Sequence, residues 1–454
     1  MEKINNFNGL NIYFIGIGGI SMSALAQFCL TLGASVSGSD EQINDETKKL
    51  SKMGVLVFHG HCVKNMTAKY DYVVFSGAIH DDNIELVFAR KNGFRVVERS
   101  EFLGVVESMF EMSVVVSGTH GKTTTTALLG EMFVRAGLNP TIHIGGESVS
   151  FGNAKIGNRA VFLSEGCEYR NSIKHLTPTI AIITNIELDH TDFYKNFDDL
   201  QLAFLNFANK TKNTVVVFEN NAFANKITAK VNVVTAGFGD EYNVKGKNVV
   251  LNSNGTYSFD VFYNGYIGRF TTSQIGFHNA KNSLCAIAVG LIMGIDIGTI
   301  YMSVRNYHGV KRRIEKVGSV GVVPVVCDYA HHPTEIVSSI ECVKNTCNKV
   351  LCVFQPHTFS RTIGLKQEFK KCFSGVKKLV IFKTYPAREN YIVGGSAREL
   401  FNEIPIKNKA YCDSIKDLAC ELKTALNYDI VLVLGAGDIY EKTIKALKKV
   451  GDKN

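Results

Sequence analysis

The chain has 454 residues, of which 45% are hydrophobic and 20% charged, which suits about three globular domains and excludes disorder as the main state. The 50 basic residues exceed the 42 acidic ones by 8, and no basic run is dense enough to indicate a nucleic-acid partner. The eleven cysteines contain no C-x-x-C pair, which argues against a zinc ribbon or a redox dithiol.

The amino-terminal residues 1–10 are polar and lack the charged start and apolar stretch of a signal peptide. The longest uncharged apolar stretch, 284–295, falls short of the roughly 18 to 20 residues that span a bilayer, so it predicts a buried helix. An odd number of cysteines fits a reducing compartment. We therefore expect a cytoplasmic protein with no membrane partner, as a monomer or a weak homodimer.

Short β-rich apolar runs recur along the chain, and most are followed by a turn and a helical pattern. The predicted strands are 11–15, 113–116, 160–163, 180–184, 350–354, 379–382 and 430–434. This alternation predicts an α/β fold with mostly parallel sheets. We expect three domains: an N-terminal Rossmann-like domain (1–108), a central P-loop ATPase domain (109–309) and a C-terminal Rossmann-like domain (310–454). Alternating aromatic residues and Asn-Gly turns in 248–270 predict a small antiparallel β insert in the central domain.

The first glycine turn, YFIGIGGISMSALA at 13–26, lies between a predicted strand and a predicted helix. Gly16 and Gly18 would let the backbone approach a pyrophosphate, which would bind the N–H groups at the helix start. Asp40 ends the next strand, where a ribose-binding acid is expected. Ser21 stands at the last glycine position of this dinucleotide-type pattern, and a purely structural tight turn is the alternative interpretation.

The second glycine turn, SVVVSGTHGKTTTT at 113–126, has the residues of a short phosphate loop. Lys122 would neutralise the β- and γ-phosphates of ATP, and the Thr123 hydroxyl would reach Mg²⁺. Val116 stands where the usual pattern has its first glycine, but the strand, the Gly-Lys-Thr and the helix all remain. The candidate ATP-binding residues are Gly118, Thr119, His120, Gly121, Lys122, Thr123 and Thr124.

Acidic residues and a histidine follow the next two predicted strands. Glu165 and Glu168 come just past one strand, and Asp189 and His190 come past the next. The carboxyl ends of parallel strands share one edge with the phosphate loop, so these side chains are candidate ligands for Mg²⁺. Histidine suits Mn²⁺ better, which makes Mn²⁺ the alternative ion. The competing interpretations are a capping role for Glu165 and a packed core position for His190.

Two further motifs are candidates for contacts with ATP. GFHNAKNS opens a helix with His278, Asn279 and Asn282, which suit either helix capping or hydrogen bonds to an adenine and its phosphates. GVKRRIE places Arg312 at the predicted domain junction, where it would reach a phosphate only if the domains close. A solvated charge run is the alternative there.

Polar and charged residues of the last domain also follow apolar runs, so we expect them at one edge of its sheet. They are Asp328, His331, His332, His357, Arg361, Arg388 and Asp438. Ion-pair networks could use the same side chains, but the shared position makes the set more informative than any single member.

Together these motifs resemble those of the Mur ligases, ATP-dependent amide-bond ligases of peptidoglycan synthesis, over about 11–440. The chain is most similar to the member that joins L-alanine to UDP-N-acetylmuramate, through YFIGIGGISMSALA, GVKRRIE, DYAHHPTE and FQPHTFSRT. The resemblance implies that the N-terminal domain binds the UDP-sugar, the central domain ATP and the C-terminal domain the amino acid. Ser21 departs from a frequent glycine, and Thr358 departs from an arginine that many relatives have after the QPH histidine.

The resemblance also implies roles for individual residues. Lys122, Glu165, His190 and Arg361 would be catalytic, and Thr123, Glu165 and His190 would hold Mg²⁺. UDP-sugar binding would involve Gly16, Gly18, Gly19, Ser21, Asp40 and Ser76. ATP would also contact His278, Asn279, Asn282 and Arg312. The amino acid would contact His331, His332, Arg361 and Arg388.

In the implied reaction, the lactyl carboxylate of UDP-N-acetylmuramate attacks the γ-phosphorus of ATP, and L-alanine then displaces phosphate from the acyl phosphate. His331, His332 and Asp328 are all candidates for the general base. One rival is a recycling ligase that uses a tripeptide in place of alanine. An NAD-dependent oxidoreductase built on the first glycine turn is a second rival, and a non-catalytic paralogue is a third.

Overall fold

A computed structural model describes residues 7–190, 193–387 and 389–451. They form two compact units. Of the described residues, unit 1 comprises 7–187, 198–245 and 284–303, and unit 2 comprises 188–190, 193–197, 246–283, 304–387 and 389–451. The predicted domain boundaries near 108 and 310 stay predictions.

The first sheet of unit 1 is parallel throughout its described strands. These are β1 (Asn11–Ile15), β2 (Ser35–Asp40), β3 (Leu56–His59), β4 (Tyr72–Phe75) and β5 (Val96–Glu98), in the order β3-β2-β1-β4-β5. The accompanying helices are α1 (Ile20–Thr31), α2 (Asp45–Lys52), α3 (Ile84–Lys91) and α4 (Arg99–Glu107), with a 3₁₀ turn at Val63–Asn65. In this doubly wound order, β2 and β3 are added on one side of β1, and β4 and β5 on the other. The crevice at the carboxyl end of β1, where the order of the strands reverses, is therefore the expected ligand position.

The second sheet of unit 1 is mostly parallel. Its strands are β6 (Met112–Ser117), β7 (Thr141–Ser148), β8 (Gly152–Lys155), β9 (Val161–Gly166), β10 (Ile180–Ile183), β11 (Thr214–Phe218), β12 (Asn232–Gly237) and the first residues of β13 (Val244–Leu251). Their order is β13-β12-β11-β10-β6-β9-β7-β8, and β7 pairs with β8 antiparallel. The helices here are α5 (Lys122–Arg135), α6 (Phe197–Lys210), α7 (Asn221–Ala224), α8 (Phe277–Ile292) and α9 (Ile297–Arg305), with a 3₁₀ segment at Tyr169–His175. The chain enters unit 2 within β13 and returns within α8.

Unit 2 contains the antiparallel hairpin β14 (Tyr257–Phe262) and β15 (Tyr266–Thr271), as the sequence predicts for 248–270. Its sheet comprises β16 (Glu315–Val320), β17 (Val323–Asp328), β18 (Val350–Phe354), β19 (Lys378–Phe382), β20 (Lys409–Cys412) and β21 (Ile430–Leu434), in the order β16-β17-β21-β18-β19-β20. The helices are α10 (Pro333–Lys344), α11 (Phe359–Gly364), α12 (Lys366–Cys372), α13 (Ala397–Glu403), α14 (Ile415–Leu422) and α15 (Ile439–Gly451), with a 3₁₀ turn at Lys423–Asn427.

The sheet of unit 2 separates two hydrophobic layers. Along β18, Val350, Cys352 and Phe354 pack into one layer, whereas Leu351 and Val353 pack into the other. A strand buried on both faces needs apolar side chains at every position, which explains why its sequence is a continuous apolar run.

Eleven free cysteines are distributed over both units. Seven are buried (Cys29, Cys285, Cys327, Cys342, Cys352, Cys372 and Cys412), Cys167 and Cys347 are half-buried, and Cys62 and Cys420 are exposed. Within the described ranges, no helix combines the length and the apolar character that crossing a bilayer requires.

Several predicted elements agree with the structure. The strands predicted at 350–354 and 430–434 match β18 and β21, and the predicted buried helix at 284–295 overlaps α8. One expectation is wrong in detail: Glu165 lies inside β9 and not beyond it, because that strand pairs with β6 as far as Gly166.

Candidate active site

The phosphate loop connects β6 to α5, as predicted. Gly118 has a φ of 135°, and a Cβ atom added there would lie 2.1 Å from Thr184 Oγ1, so only glycine fits. Gly121 has a φ of 81° and immediately precedes α5. The sharp turn leaves Lys122, Thr123 and Thr124 in the first turn of that helix, where N–H groups favour an anion.

Lys122 is held in place by acceptors on both sides. Its Nζ donates to the Gly118 carbonyl at 2.5 Å and to the Thr119 carbonyl at 2.9 Å, and it lies 2.9 Å from Glu168 Oε2. Glu168 is only 2% exposed. Burial lowers the pKa of Lys122, but the neighbouring acidic groups, Glu168 foremost, together outweigh burial and raise that pKa overall, so the ammonium stays charged.

Thr123 and Glu165 meet beside this lysine. The Thr123 hydroxyl donates to Glu165 Oε2 at 3.0 Å, and the Gly145 N–H donates to Glu165 Oε1 at 2.8 Å. The sequence placed both residues at one edge of a parallel sheet, and the structure brings them together because β6 and β9 are neighbouring strands. A hydroxyl and a carboxylate are oxygen donors of the kind that Mg²⁺ prefers.

Asn185 supports the loop and was missed from the sequence. Its Oδ1 accepts from the His120 N–H at 2.9 Å, its Nδ2 donates to the His120 carbonyl at 3.0 Å, and its carbonyl accepts from the Thr119 N–H at 3.1 Å. Glu187 lies 3.5 Å from His120 Nε2. The available signal was the polar Thr184-Asn185 pair directly after β10.

The first glycine turn has the expected conformation at the end of β1. Gly16 has a φ of 83°, and Gly19 is the residue before α1. The Gly18 N–H donates to Asp40 Oδ2 at 2.8 Å, and Asp40 Oδ1 accepts from the Gln42 N–H at 3.0 Å. Asp40 therefore shapes this turn, and its predicted ribose contact stays a prediction. The Ser76 Cβ lies 3.3 Å from where a Gly16 Cβ would stand, so Ser76 borders the same turn.

His190 belongs to the segment of unit 2 that also contains Asp189. It has a φ of 54°, and its N–H donates to Asp189 Oδ1 at 2.7 Å. Thr123 and Glu165 lie in unit 1, so their predicted grouping with His190 around one ion stays a prediction.

Arg361, the predicted amino-acid anchor, forms an ion pair that the sequence did not reveal. Its Nε and Nη2 donate to the two oxygens of Asp189 at 3.2 and 3.4 Å, and its Nη1 lies 3.2 Å from His357 Nδ1. Thr358 immediately precedes α11 with a φ of 66°, and its hydroxyl accepts from the Arg361 N–H at 3.4 Å. Thr358 thus caps the helix that presents Arg361.

The other predicted ATP contacts lie in unit 2. His278, Asn279 and Asn282 occupy the start of α8, where Asn279 Nδ2 donates to the Ile275 carbonyl at 2.8 Å. Burial lowers the pKa of His278. Arg312 Nη2 donates to the carbonyls of Gly435 at 3.2 Å and Gly437 at 2.7 Å, so its head binds protein groups, and its ATP contact stays a prediction.

Three candidates for the general base have different environments. Both oxygens of Asp328 accept backbone N–H groups, and His332 caps α10 through Nδ1. His331 Nδ1 lies 3.0 Å from the Tyr329 carbonyl, and burial lowers the pKa of His331 to about 4, so its ring is neutral near pH 7. Arg388, the remaining predicted amino-acid contact, lies outside the described residues.

Comparisons with known proteins agree with this geometry. Residues 11–110 match the description Mur ligase family, catalytic domain; residues 116–290 match Mur ligase middle domain; and residues 312–437 match Mur ligase, glutamate ligase domain. Two proteins named UDP-N-acetylmuramate--L-alanine ligase are similar over 95% of this chain and 96% of their own length. That of Clostridium novyi is 40% identical over 448 residues, and that of Clostridium kluyveri is 38% identical over 440.

Two solved ligase structures are similar to this chain over nearly its whole length. A UDP-N-acetylmuramate-alanine ligase from Thermotoga maritima superposes with a TM-score of 0.83 at 25% identity, covering 98% of this chain and all of that one. A murein peptide ligase from Psychrobacter arcticus, at 21% identity, has a TM-score of 0.76 with the same coverage and shares the fold. The predicted family and the three-domain α/β class are thereby confirmed. The chain belongs to the Mur ligase family.

Proposed function

We propose that the chain joins L-alanine to the lactyl carboxylate of UDP-N-acetylmuramate in peptidoglycan precursor synthesis, with conversion of ATP to ADP and phosphate. The observation that carries this proposal is the charged Lys122 on the phosphate loop, beside the Thr123–Glu165 pair at 3.0 Å. The relatives that bear the name of this ligase support the choice of sugar and amino acid.

In the proposed reaction, the lactyl carboxylate attacks the γ-phosphorus of ATP, the bond to ADP breaks, and an acyl phosphate forms. Lys122 stabilises the negative charge that develops on the phosphoryl oxygens, because its ammonium is already fixed on the loop. The neutral amine of L-alanine then attacks the acyl carbon, phosphate leaves, and the amine proton passes to a base. His331, His332 and Asp328 are the candidates for this base, and each also takes part in a local hydrogen bond.

Thr123, Glu165 and His190 are the proposed ligands for Mg²⁺, with Mn²⁺ as the alternative ion. The hydroxyl and carboxylate that meet at 3.0 Å fit a hard cation, whereas the role of His190 rests on the family resemblance. When bound, the ion would disperse the charge of the ATP phosphates.

The proposal extends to the other two substrates. The turn that contains Gly16, Gly18 and Gly19 would bind the UDP-sugar diphosphate at the start of α1, and Arg361 would bind the alanine carboxylate. We also propose a cytoplasmic location, where the nucleotide substrates are made, and a monomer or weak homodimer.

Phosphate release tests the proposal. Purified protein with ATP and UDP-N-acetylmuramate should release phosphate only when L-alanine is added, in amounts equal to the alanyl product measured by mass spectrometry. A Lys122→Ala preparation controls for contaminating ATPases. Turnover with a murein tripeptide but not with alanine would assign the chain to recycling, and phosphate release independent of the UDP-sugar would refute the proposal.

A further inference from the structure

A histidine on β7 contacts the first turn of α1, next to the proposed diphosphate position. His143 Nε2 lies 2.8 Å from the Ser21 hydroxyl, and Arg99 Nη1 donates to the same hydroxyl at 3.2 Å. His143 is only 3% exposed and packs against Phe28, whereas Ser21 is partly exposed as the second residue of α1. The three polar side chains therefore meet at one hydroxyl on the ligand side of the helix start.

The ring of His143 is neutral. Burial, followed by the charge of Arg99, lowers the pKa of His143 to about 3. A neutral ring carries one N–H, and Nδ1 is buried with no partner among the described residues. A buried N–H without a partner is rarer than an acceptor without one, which favours placing the hydrogen on Nε2, where it donates to Ser21.

The Ser21 hydroxyl then accepts two hydrogen bonds, from His143 and from Arg99. Its two lone pairs are used, so its own hydrogen must point to a further acceptor. The proposed ligand at this helix start is a diphosphate, which offers anionic oxygens as acceptors.

We propose that His143, together with Arg99, is a positioning residue that commits the Ser21 hydroxyl to donating a hydrogen bond to an anionic oxygen of the UDP-sugar diphosphate. This inference rests on the proposed function for the identity of the ligand. It concerns the one position of the glycine turn where this chain has serine in place of a frequent glycine.

The same strand also contacts Glu165, a proposed metal ligand. Gly145 lies two positions after His143 on β7, and its N–H donates to Glu165 Oε1 at 2.8 Å. On the adjoining β8, Asn153 Nδ2 donates to the Ile20 carbonyl at 2.9 Å and to the Ser23 hydroxyl at 3.0 Å. The β7–β8 hairpin thus holds the start of α1 at a fixed distance from Glu165, which relates the sugar to the site of phosphoryl transfer.

Replacement of His143 tests the inference. His143→Leu removes the donor at similar volume and should raise the KM for UDP-N-acetylmuramate about tenfold, the scale of one hydrogen bond to a charged group, while kcat and the KM for ATP stay within about twofold. His143→Gln can place an amide N–H near the position of Nε2 and should recover most of the loss. Ser21→Ala should match His143→Leu, and the double variant should be no worse, since both remove one interaction.

Ile144→Val, on the opposite face of β7, is the control for general loosening of the strand and should keep the wild-type KM. Calorimetric titration with UDP, which carries the diphosphate but not the amino sugar, measures the same loss of affinity without turnover. If the wild-type protein shows no alanine-dependent phosphate release, the proposed function fails, and the UDP titrations still decide the role of His143. Wild-type affinity for UDP in His143→Leu, or equal losses in His143→Leu and His143→Gln, would overturn the inference.

Discussion

The Asp189–Arg361 pair of unit 2 gives a prediction about stability. Two nitrogens of Arg361 contact the two oxygens of Asp189 at 3.2 and 3.4 Å, and the side chains are 11% and 9% exposed. Removing one partner of a buried pair costs about 3 to 5 kcal/mol, because the remaining charge loses its compensation. Asn at position 189 keeps one carbonyl acceptor, so we expect Asp189→Asn to lower the free energy of unfolding by about 3 kcal/mol, the lower end of this range.

That loss should lower the melting temperature of unit 2 by about 6 to 12 °C, at about 2 to 4 °C per kcal/mol. Asp413→Asn, which also lies in unit 2, is the matched control. Arg398 Nη2 lies 3.4 Å from Asp413 Oδ2, but these side chains are 56% and 58% exposed. Exposed pairs contribute about 0 to 1 kcal/mol, so the control should shift the transition by less than about 4 °C.

Scanning calorimetry at several pH values measures the melting temperatures of the wild-type protein and of both variants. Burial raises the pKa of Asp189, but the surrounding positive charge, to which Arg361 contributes most, outweighs burial in sum and holds that pKa far below its usual range. A depressed carboxyl pKa contributes stability above its unfolded value of about 3.9 and loses it as the pH falls. The difference in stability between wild type and Asp189→Asn should therefore be constant from pH 8 to 5 and shrink below about pH 4. Equal melting shifts for Asp189→Asn and Asp413→Asn at pH 7 would refute the buried-pair reasoning.

Three further variants address the proposed chemistry. Lys122→Ala should lower kcat at least about a hundredfold with an unchanged circular dichroism spectrum, because a preorganised charge contact is lost; near-normal turnover would remove Lys122 from the mechanism. Gly18→Val should raise the KM for the UDP-sugar and leave ATP affinity intact, since an added Cβ would lie 2.9 Å from both Asp40 Oδ2 and Thr47 Cγ2; calorimetry that showed the reverse would exchange the two ligand assignments. Glu165→Gln should raise the Mg²⁺ concentration needed for half-maximal rate, and an unchanged metal titration would exclude Glu165 as a ligand.

Local patterns in the sequence predicted much of the fold. Apolar runs identified β18 and β21, and the Gly-Lys-Thr sequence located the start of α5. The sequence predicted that Thr123 and Glu165 share one edge of a parallel sheet, whereas their contact depends on the pairing of β6 with β9, which the sequence did not predict. The Asp189–Arg361 pair was not predictable in this way, since the partners are 172 positions apart and their meeting depends on how separate elements pack.

The buried cysteines allow local unfolding of each unit to be measured without an engineered label. Cys29 on α1 of unit 1 and Cys352 on β18 of unit 2 are fully buried, whereas Cys62 and Cys420 are exposed. A thiol reagent will modify the exposed pair at once and will reach Cys29 or Cys352 only when the surrounding helix or sheet opens. Because such openings have their own free energies, the two slow modification rates, read by mass spectrometry, report the local stability of each unit separately.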